Sequence, residues 1–102
     1  ILEKYIERIN HVHCKDIRDK VLQNSLNNNL SFRNSFLNGV FTVPGDGCID
    51  YTPILKKLKD AKYNKWLVIE AEQDPKKANP LEYAKIGHNY LLETLTKVGY
   101  ET

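Results

Sequence analysis

The chain has no methionine, only 2 cysteines and 1 tryptophan, and just 5 glycines and 4 prolines in 102 residues. So few cysteines exclude a disulfide scaffold, and so little glycine and proline exclude collagen-like or low-complexity chains. Neither sign of charge dominates: 15 Lys+Arg stand against 13 Asp+Glu, a net +2, and no lysine run exceeds two. A nucleic-acid or membrane surface calls for a clustered basic patch, so neither partner is expected. The longest apolar run, Trp66-Leu67-Val68-Ile69, falls far short of the roughly 20 residues of a membrane span. Nothing near Ile1 has the basic-then-apolar layout of a signal peptide. A cytoplasmic protein is the expectation. What is present, 41% hydrophobic and 27% charged residues, suits one modest core, and residues 1–102 read as a single partial domain. With no methionine and Ile1 first, the chain is expected to be a piece of something longer.

Ile1, Leu2, Tyr5, Ile6 and Ile9 recur at helical spacing with Glu3, Lys4, Glu7 and Arg8 opposite, which predicts an amphipathic helix. Asn10-His11-Val12-His13-Cys14 alternates as a short strand, with His11 and His13 on one face and Val12 and Cys14 on the other. From Lys15 to Asp50 the chain is polar, with an Asn-rich stretch and the turn Pro44-Gly45-Asp46-Gly47, and reads as a long irregular loop. Thr52-Pro53 predicts an N-cap and first turn for a helix carrying Ile54, Leu55, Leu58 and Ala61. Trp66 to Ile69 reads as a strand buried on both faces, with the acid Glu70 at its C-terminal end. Asn79-Pro80-Leu81-Glu82 opens a long helix with Leu81, Ala84, His88, Leu91, Leu95 and Val98 on one stripe and Gly99 as its stop.

Strands alternating with helices imply βαβ units and parallel pairing. Two parallel strands cannot form a stable sheet alone, because such sheets need neighbours and a helix layer on both faces. The α/β pattern therefore fits the C-terminal part, about the last two βα units, of a (β/α)8 TIM barrel, which needs about 250 residues in full. A truncated doubly wound sheet is the competing fold.

In both folds reactive groups gather at the C-terminal ends of strands. Here those ends read His11-Val12-His13-Cys14-Lys15-Asp16 and Glu70-Ala71-Glu72-Gln73-Asp74. Histidine with carboxylates is a ligand set for a divalent ion such as Mn, Co or Zn. Each residue alone has a plainer reading, a packed strand histidine or a solvated loop acid. Cys14, opposite His13 by alternation, is expected to pack against a helix. Two cysteines in a cytosolic chain read as free thiols. Phe32, Phe36 and Phe41 read as loop packing or as cover for a barrel mouth.

Asn10-His11-Val12-His13-Cys14-Lys15-Asp16-Ile17-Arg18, Gly39-Val40-Phe41-Thr42-Val43-Pro44-Gly45-Asp46-Gly47, Trp66-Leu67-Val68-Ile69-Glu70-Ala71-Glu72-Gln73-Asp74-Pro75 and Asn79-Pro80-Leu81-Glu82-Tyr83-Ala84 stand in this order along the chain. Together they resemble the C-terminal part of the inosose dehydratases, enzymes of myo-inositol catabolism in the xylose-isomerase-like TIM-barrel superfamily. The resemblance implies one divalent ion held by a Glu, an Asp, a His and a second Glu from four successive strands. It places His13 and Glu70 as the last two ligands, with the other two upstream. Glu72 is the alternative ligand or a substrate contact, and His11 lies one pleat deeper as a supporting or substrate-side residue.

The reaction implied is loss of water from 2-keto-myo-inositol to a trihydroxycyclohexane dione, with manganese or cobalt and, in some members, glutathione. Abstraction of a proton alpha to the ketone puts charge on oxygen, which a cation stabilises, and the departing hydroxide needs an acid. Glu70, Lys15, Asp16 and Arg18 are the candidate catalytic residues, the last three as acids or as grips on substrate hydroxyls, unless they form a solvated ion-paired loop. Asp46 is a candidate contact to polyol hydroxyls, or part of a plain type II turn. The partner expected is a small polyol ketone, together with a further copy of the chain covering the exposed sheet edge. A sugar epimerase or isomerase of the same superfamily, a non-catalytic interaction module and, more weakly, an apurinic endonuclease are the other readings.

Overall fold

A computed structural model describes residues 1–101. Its elements, in order, are α1 (Leu2–Tyr5), a 3-10 turn (Ile6–Arg8), β1 (His11–Cys14), β2 (Asp16–Ile17), α2 (Asp19–Asn27), α3 (Phe32–Leu37), β3 (Phe41–Thr42), α4 (Thr52–Asp60), β4 (Trp66–Ile69) and α5 (Pro80–Val98). Strands β1 and β4 pair in parallel, with His11 opposite Trp66, His13 opposite Val68 and Cys14 opposite Ile69. Glu70 N carries the ladder one step further by donating to Cys14 O at 3.0 Å. The two strand ends, and the loops that follow, are thereby brought side by side.

The helix layer lies on one face of this sheet. Cys14, Tyr51, Leu55, Leu58, Tyr63 and Leu91 form the buried cluster, so Cys14 packs against helices as its alternation predicted. The opposite face is open: Trp66 is 67% exposed and His11 and His13 are exposed, which corrects the expectation that β4 is buried on both sides. A parallel strand reaches that state only with helices or further strands on its second face, and among the described residues none lies there.

Helix ends follow local chemistry. Asn79 Oδ1 accepts from Leu81 N (3.0 Å) and Glu82 N (3.2 Å), Pro80 supplies the first turn, and Gly99 closes α5 at φ +107°. At α4 the cap is shifted from the expected position. Asp50 Oδ1, not the Thr52 hydroxyl, accepts from Thr52 N at 2.9 Å, and Thr52 is already helical. The buried side of α5 is Gly87, Leu91 and Thr94, whereas Leu81 and His88 of the expected stripe are exposed. Gly87 explains the rotation, because a Cβ there would stand 3.0 Å from Ile69 Cγ2 and 3.2 Å from Val43 Cβ. The helix is seated through its smallest residue. The first helix is also shorter than expected, giving way to the 3-10 turn with Ile9 N bonded to Ile6 O at 3.2 Å.

Residues 15–50 are far from irregular. They hold α2, α3 and an antiparallel pair of β2 with β3, Asp16 opposite Thr42 and Ile17 opposite Phe41. Their polar side chains hide this order while creating it. Ser31 Oγ caps α3 by accepting from Asn34 N (3.1 Å), Asn28 Nδ2 donates to Asn24 O (2.9 Å) at the end of α2, and Asn29 takes φ +50° in the connection.

Candidate functional site

The end of β1 and the residues after β4 meet in one cluster. His13 Nδ1 stands 2.7 Å from Glu70 Oε1. When Nδ1 carries the ring proton it donates to the carboxylate; without that proton the two atoms are a nitrogen and an oxygen donor side by side. Lys15 Nζ lies 3.2 Å from Glu70 Oε2 and also hydrogen-bonds Glu72 Oε2. His13 and Lys15 together hold the Glu70 carboxyl below the ordinary carboxylate range, the His13 bond contributing most. Glu72, and then Glu70, hold the Lys15 ammonium above its ordinary value. The Phe41 ring faces Lys15 Nζ at 4.8 Å from its centroid, and Phe32 leans on Phe41 with centroids 5.7 Å apart. Behind the cluster the Tyr51 hydroxyl donates to Lys15 O at 2.6 Å, and burial pushes its own pKa up to about 12. The backbone beneath Lys15 is thus fixed from the core.

Two of the expected site residues are placed differently from their assigned tasks, and a third, Asp46, sits in the turn that was its other reading. Asp16 is fully buried. Its Oδ1 accepts from Ile17 N (2.8 Å) and Ile49 N (3.0 Å), so its carboxyl braces the chain after Gly47 instead of reaching a substrate. Arg18, expected as acid or grip, spends its guanidinium on the protein. Nη1 donates to Gly39 O (2.7 Å) and Phe41 O (3.2 Å), and Nη2 to Asp46 Oδ2 (2.9 Å), Gln73 Oε1 (3.0 Å) and Thr42 Oγ1 (3.2 Å). An arginine so engaged has both terminal nitrogens committed to protein acceptors and none turned to a substrate. Asp46 lies in a turn of type II pattern, with Pro44, Gly45 at φ +92° and Asp46 N bonded to Val43 O at 3.1 Å. Its Oδ2 also accepts from the Thr42 hydroxyl at 2.7 Å. His11 shares the open face with His13 but lies beside Trp66, one pleat from the cluster.

Sequence reasoning gave Phe41 only loop packing or cover for a barrel mouth, and assigned no role to Thr42, Gln73 or Tyr83; the four surround Lys15 and Arg18. All four lie inside the sequence blocks that carried the resemblance, which was the available signal. A crevice of about 320 Å³ opens beyond Arg18, lined by Phe36, Gly39, Gln73, Lys77 and Tyr83 among others, and His13 and Glu70 are not in it. The cluster faces the open side of the sheet. Among the described residues no group of three or more His, Cys, Asp or Glu side chains is arranged to hold a metal. No helix among them is long and apolar enough to cross a membrane.

Parallel strands with helical connections, their polar side chains converging past the strand ends, are the arrangement of a TIM-barrel segment, and the family model for the xylose isomerase-like TIM barrel matches residues 1–94. The chain belongs to that family. Among curated relatives it is similar to the inosose dehydratase of Serratia proteamaculans, 54% identical over 94 residues that make up 92% of this chain and 32% of the relative. The inosose dehydratases of Clostridium botulinum and Bacillus velezensis are 55% and 54% identical over 91% and 89% of this chain. The chain spans about a third of the length of these relatives.

Proposed function

We propose that the protein containing this chain is a metal-dependent hydro-lyase that removes water from 2-keto-myo-inositol, and that this chain supplies part of its site and is inactive by itself. The observation that carries the reading is the 2.7 Å approach of His13 Nδ1 to Glu70 Oε1 at adjoining strand ends, in a chain more than half identical to inosose dehydratases. The donor chemistry fits a manganese or cobalt ion, with His13 and Glu70 as its ligands from this chain. Such an ion, when bound, would act as a Lewis acid toward the ketone oxygen.

The side chains then divide the remaining work. Glu72 is half exposed and makes no bond to His13, and it is the carboxylate available to take the proton alpha to the ketone. The C–H electron pair becomes the carbon–carbon double bond of an enediolate. Its collapse breaks the C–O bond at the next carbon, and the hydroxide leaves with a proton as water. Lys15, kept protonated by Glu72 and Glu70, is the donor for that step. The enol tautomerises to the dione, so one water is lost with no change of oxidation state overall.

The test is to strip the full-length protein of metal, restore manganese or cobalt, add 2-keto-myo-inositol and follow the ultraviolet absorbance of the unsaturated dione. Absorbance that depends on the ion is expected. None with either ion refutes the reading.

A further inference from the structure

Phe41 stands on a strand of two residues, paired with an equally short partner. So little ladder does not by itself fix a side chain. The fixing comes from Arg18, whose guanidinium bonds the carbonyls of Gly39 and Phe41 and the hydroxyl of Thr42, on either side of and at the aromatic residue itself. The same group reaches Asp46 in the turn and Gln73 in the loop after β4, three residues beyond Glu70. The Tyr83 ring lies 5.8 Å from its central carbon. A planar, forked cation can serve carbonyls on one edge and a carboxylate and an amide on another; an ammonium, with its donors on one atom, cannot span them.

We infer that Arg18 is a positioning residue: it clasps the Gly39–Thr42 strand to the Gln73 loop and so seats the Phe41 ring over the Lys15 ammonium beside Glu70 and Glu72. Lys15 has a long, rotatable stem, and its two carboxylate partners both lie toward the β4 loop. The Phe41 ring stands 4.8 Å from the same ammonium. Arg18 thus acts on the proposed dehydration through Phe41 and Lys15 and does not touch the substrate. This part rests on the function proposed above, whereas the seating of the ring does not.

The seating is tested in the full-length protein carrying 4-fluorophenylalanine at position 41. Lys15→Met removes the cation from the ring and shifts the fluorine resonance, and R18K is expected to shift it in the same direction. A resonance unchanged in R18K overturns the inference whatever the enzyme does. The catalytic consequence is read in deuterated water, as the ratio of deuterium washed into recovered 2-keto-myo-inositol to dione formed. R18K and Phe41→Leu should each raise that ratio about tenfold, because proton abstraction survives while hydroxide departure falters. Manganese affinity by calorimetry should stay within about threefold, and the double variant should be no more than about twofold worse than either single one. An unchanged ratio, or losses that multiply in the double variant, overturns the proposed path through Phe41. A wild-type protein that makes no dione refutes the proposed function instead and leaves the fluorine result to judge the seating.

Discussion

Replacing Gly47 with alanine tests whether the buried Asp16 carboxyl shapes the chain between β3 and α4. A Cβ at position 47 would stand 2.3 Å from Asp16 Oδ1, 2.4 Å from its Cγ and 2.4 Å from Ile17 O. Each distance is about an ångström short of ordinary contact. The conflict is with backbone and with a pinned carboxyl, so no flexible side-chain end can yield. Overpacking of this kind costs about 1–3 kcal/mol. If Asp16 retreats, its bonds to Ile17 N (2.8 Å) and Ile49 N (3.0 Å) stretch, and a buried polar group left without partners costs about another 1–3 kcal/mol. The expected loss is therefore about 2–6 kcal/mol, a large share of the roughly 5–15 kcal/mol that holds a domain together. Urea unfolding of the full-length protein measures it. Cys48→Ser, at the exposed neighbouring position, is the control, expected within about 0.5 kcal/mol of wild type. An alanine variant as stable as that control would refute the reasoning, since it would mean that the turn relaxes at no cost and that Asp16 does not hold it.

Three further outcomes are expected. His13→Ala or Glu70→Gln should weaken manganese binding by the full-length protein roughly tenfold or more in calorimetry, and unaltered affinity in both would exclude them as ligands. Thiol labelling followed by peptide mapping should modify Cys48 in the native protein and Cys14 only after denaturation, because Cys14 is buried and burial pushes its pKa up to about 11, leaving roughly one part in a thousand as thiolate at pH 8. Asp50 has its pKa lowered by the bond from Thr52 N, so its folded value lies below its unfolded one. The stability it contributes is fully present above the unfolded value near 3.8 and is lost as pH falls through the depressed folded value. The gap in unfolding midpoint between wild type and Asp50→Ala should accordingly narrow below about pH 4, and a gap constant to pH 2 would contradict the cap.

Much of the fold was legible because it follows from spacing between near neighbours. The alternation of His11 to Cys14 placed the thiol against the helices and the two histidines together on the opposite face, and Asn79, Pro80 and Gly99 marked the ends of α5 by chemistry confined to a single turn. The contents of residues 15–50 were not legible, since α2 and α3 are stabilised by serine and asparagine bonds that in composition resemble an unstructured stretch. Of the candidate site, the pairing of His13 with Glu70 lies on neighbouring strand ends and follows from parallel order. The tasks of Asp16 and Arg18 do not, because they depend on partners 21 to 55 residues away, at Ile49, Gly39, Asp46 and Gln73, where nothing local announces the contact. Gly47 is a case between the two. It was visible as turn chemistry, yet what makes it necessary is the carboxyl it passes.

The path of the chain around Arg18 also bears on how this region can change over generations. Arg18 N donates to Val40 O at 2.9 Å and its Nη1 to Gly39 O at 2.7 Å, so residues 19–38 form an excursion whose two ends meet at Arg18. The excursion is tied shut at its base. Closing a flexible loop grows costlier only with the logarithm of its length, about 0.6 kcal/mol per doubling. An insertion at Asn28 or Asn29, in the connection between α2 and α3, would therefore lengthen the excursion at small cost while its two ends stay tied at Arg18. A peptide or reporter domain grafted between Asn27 and Asn29 would hang from the same knot.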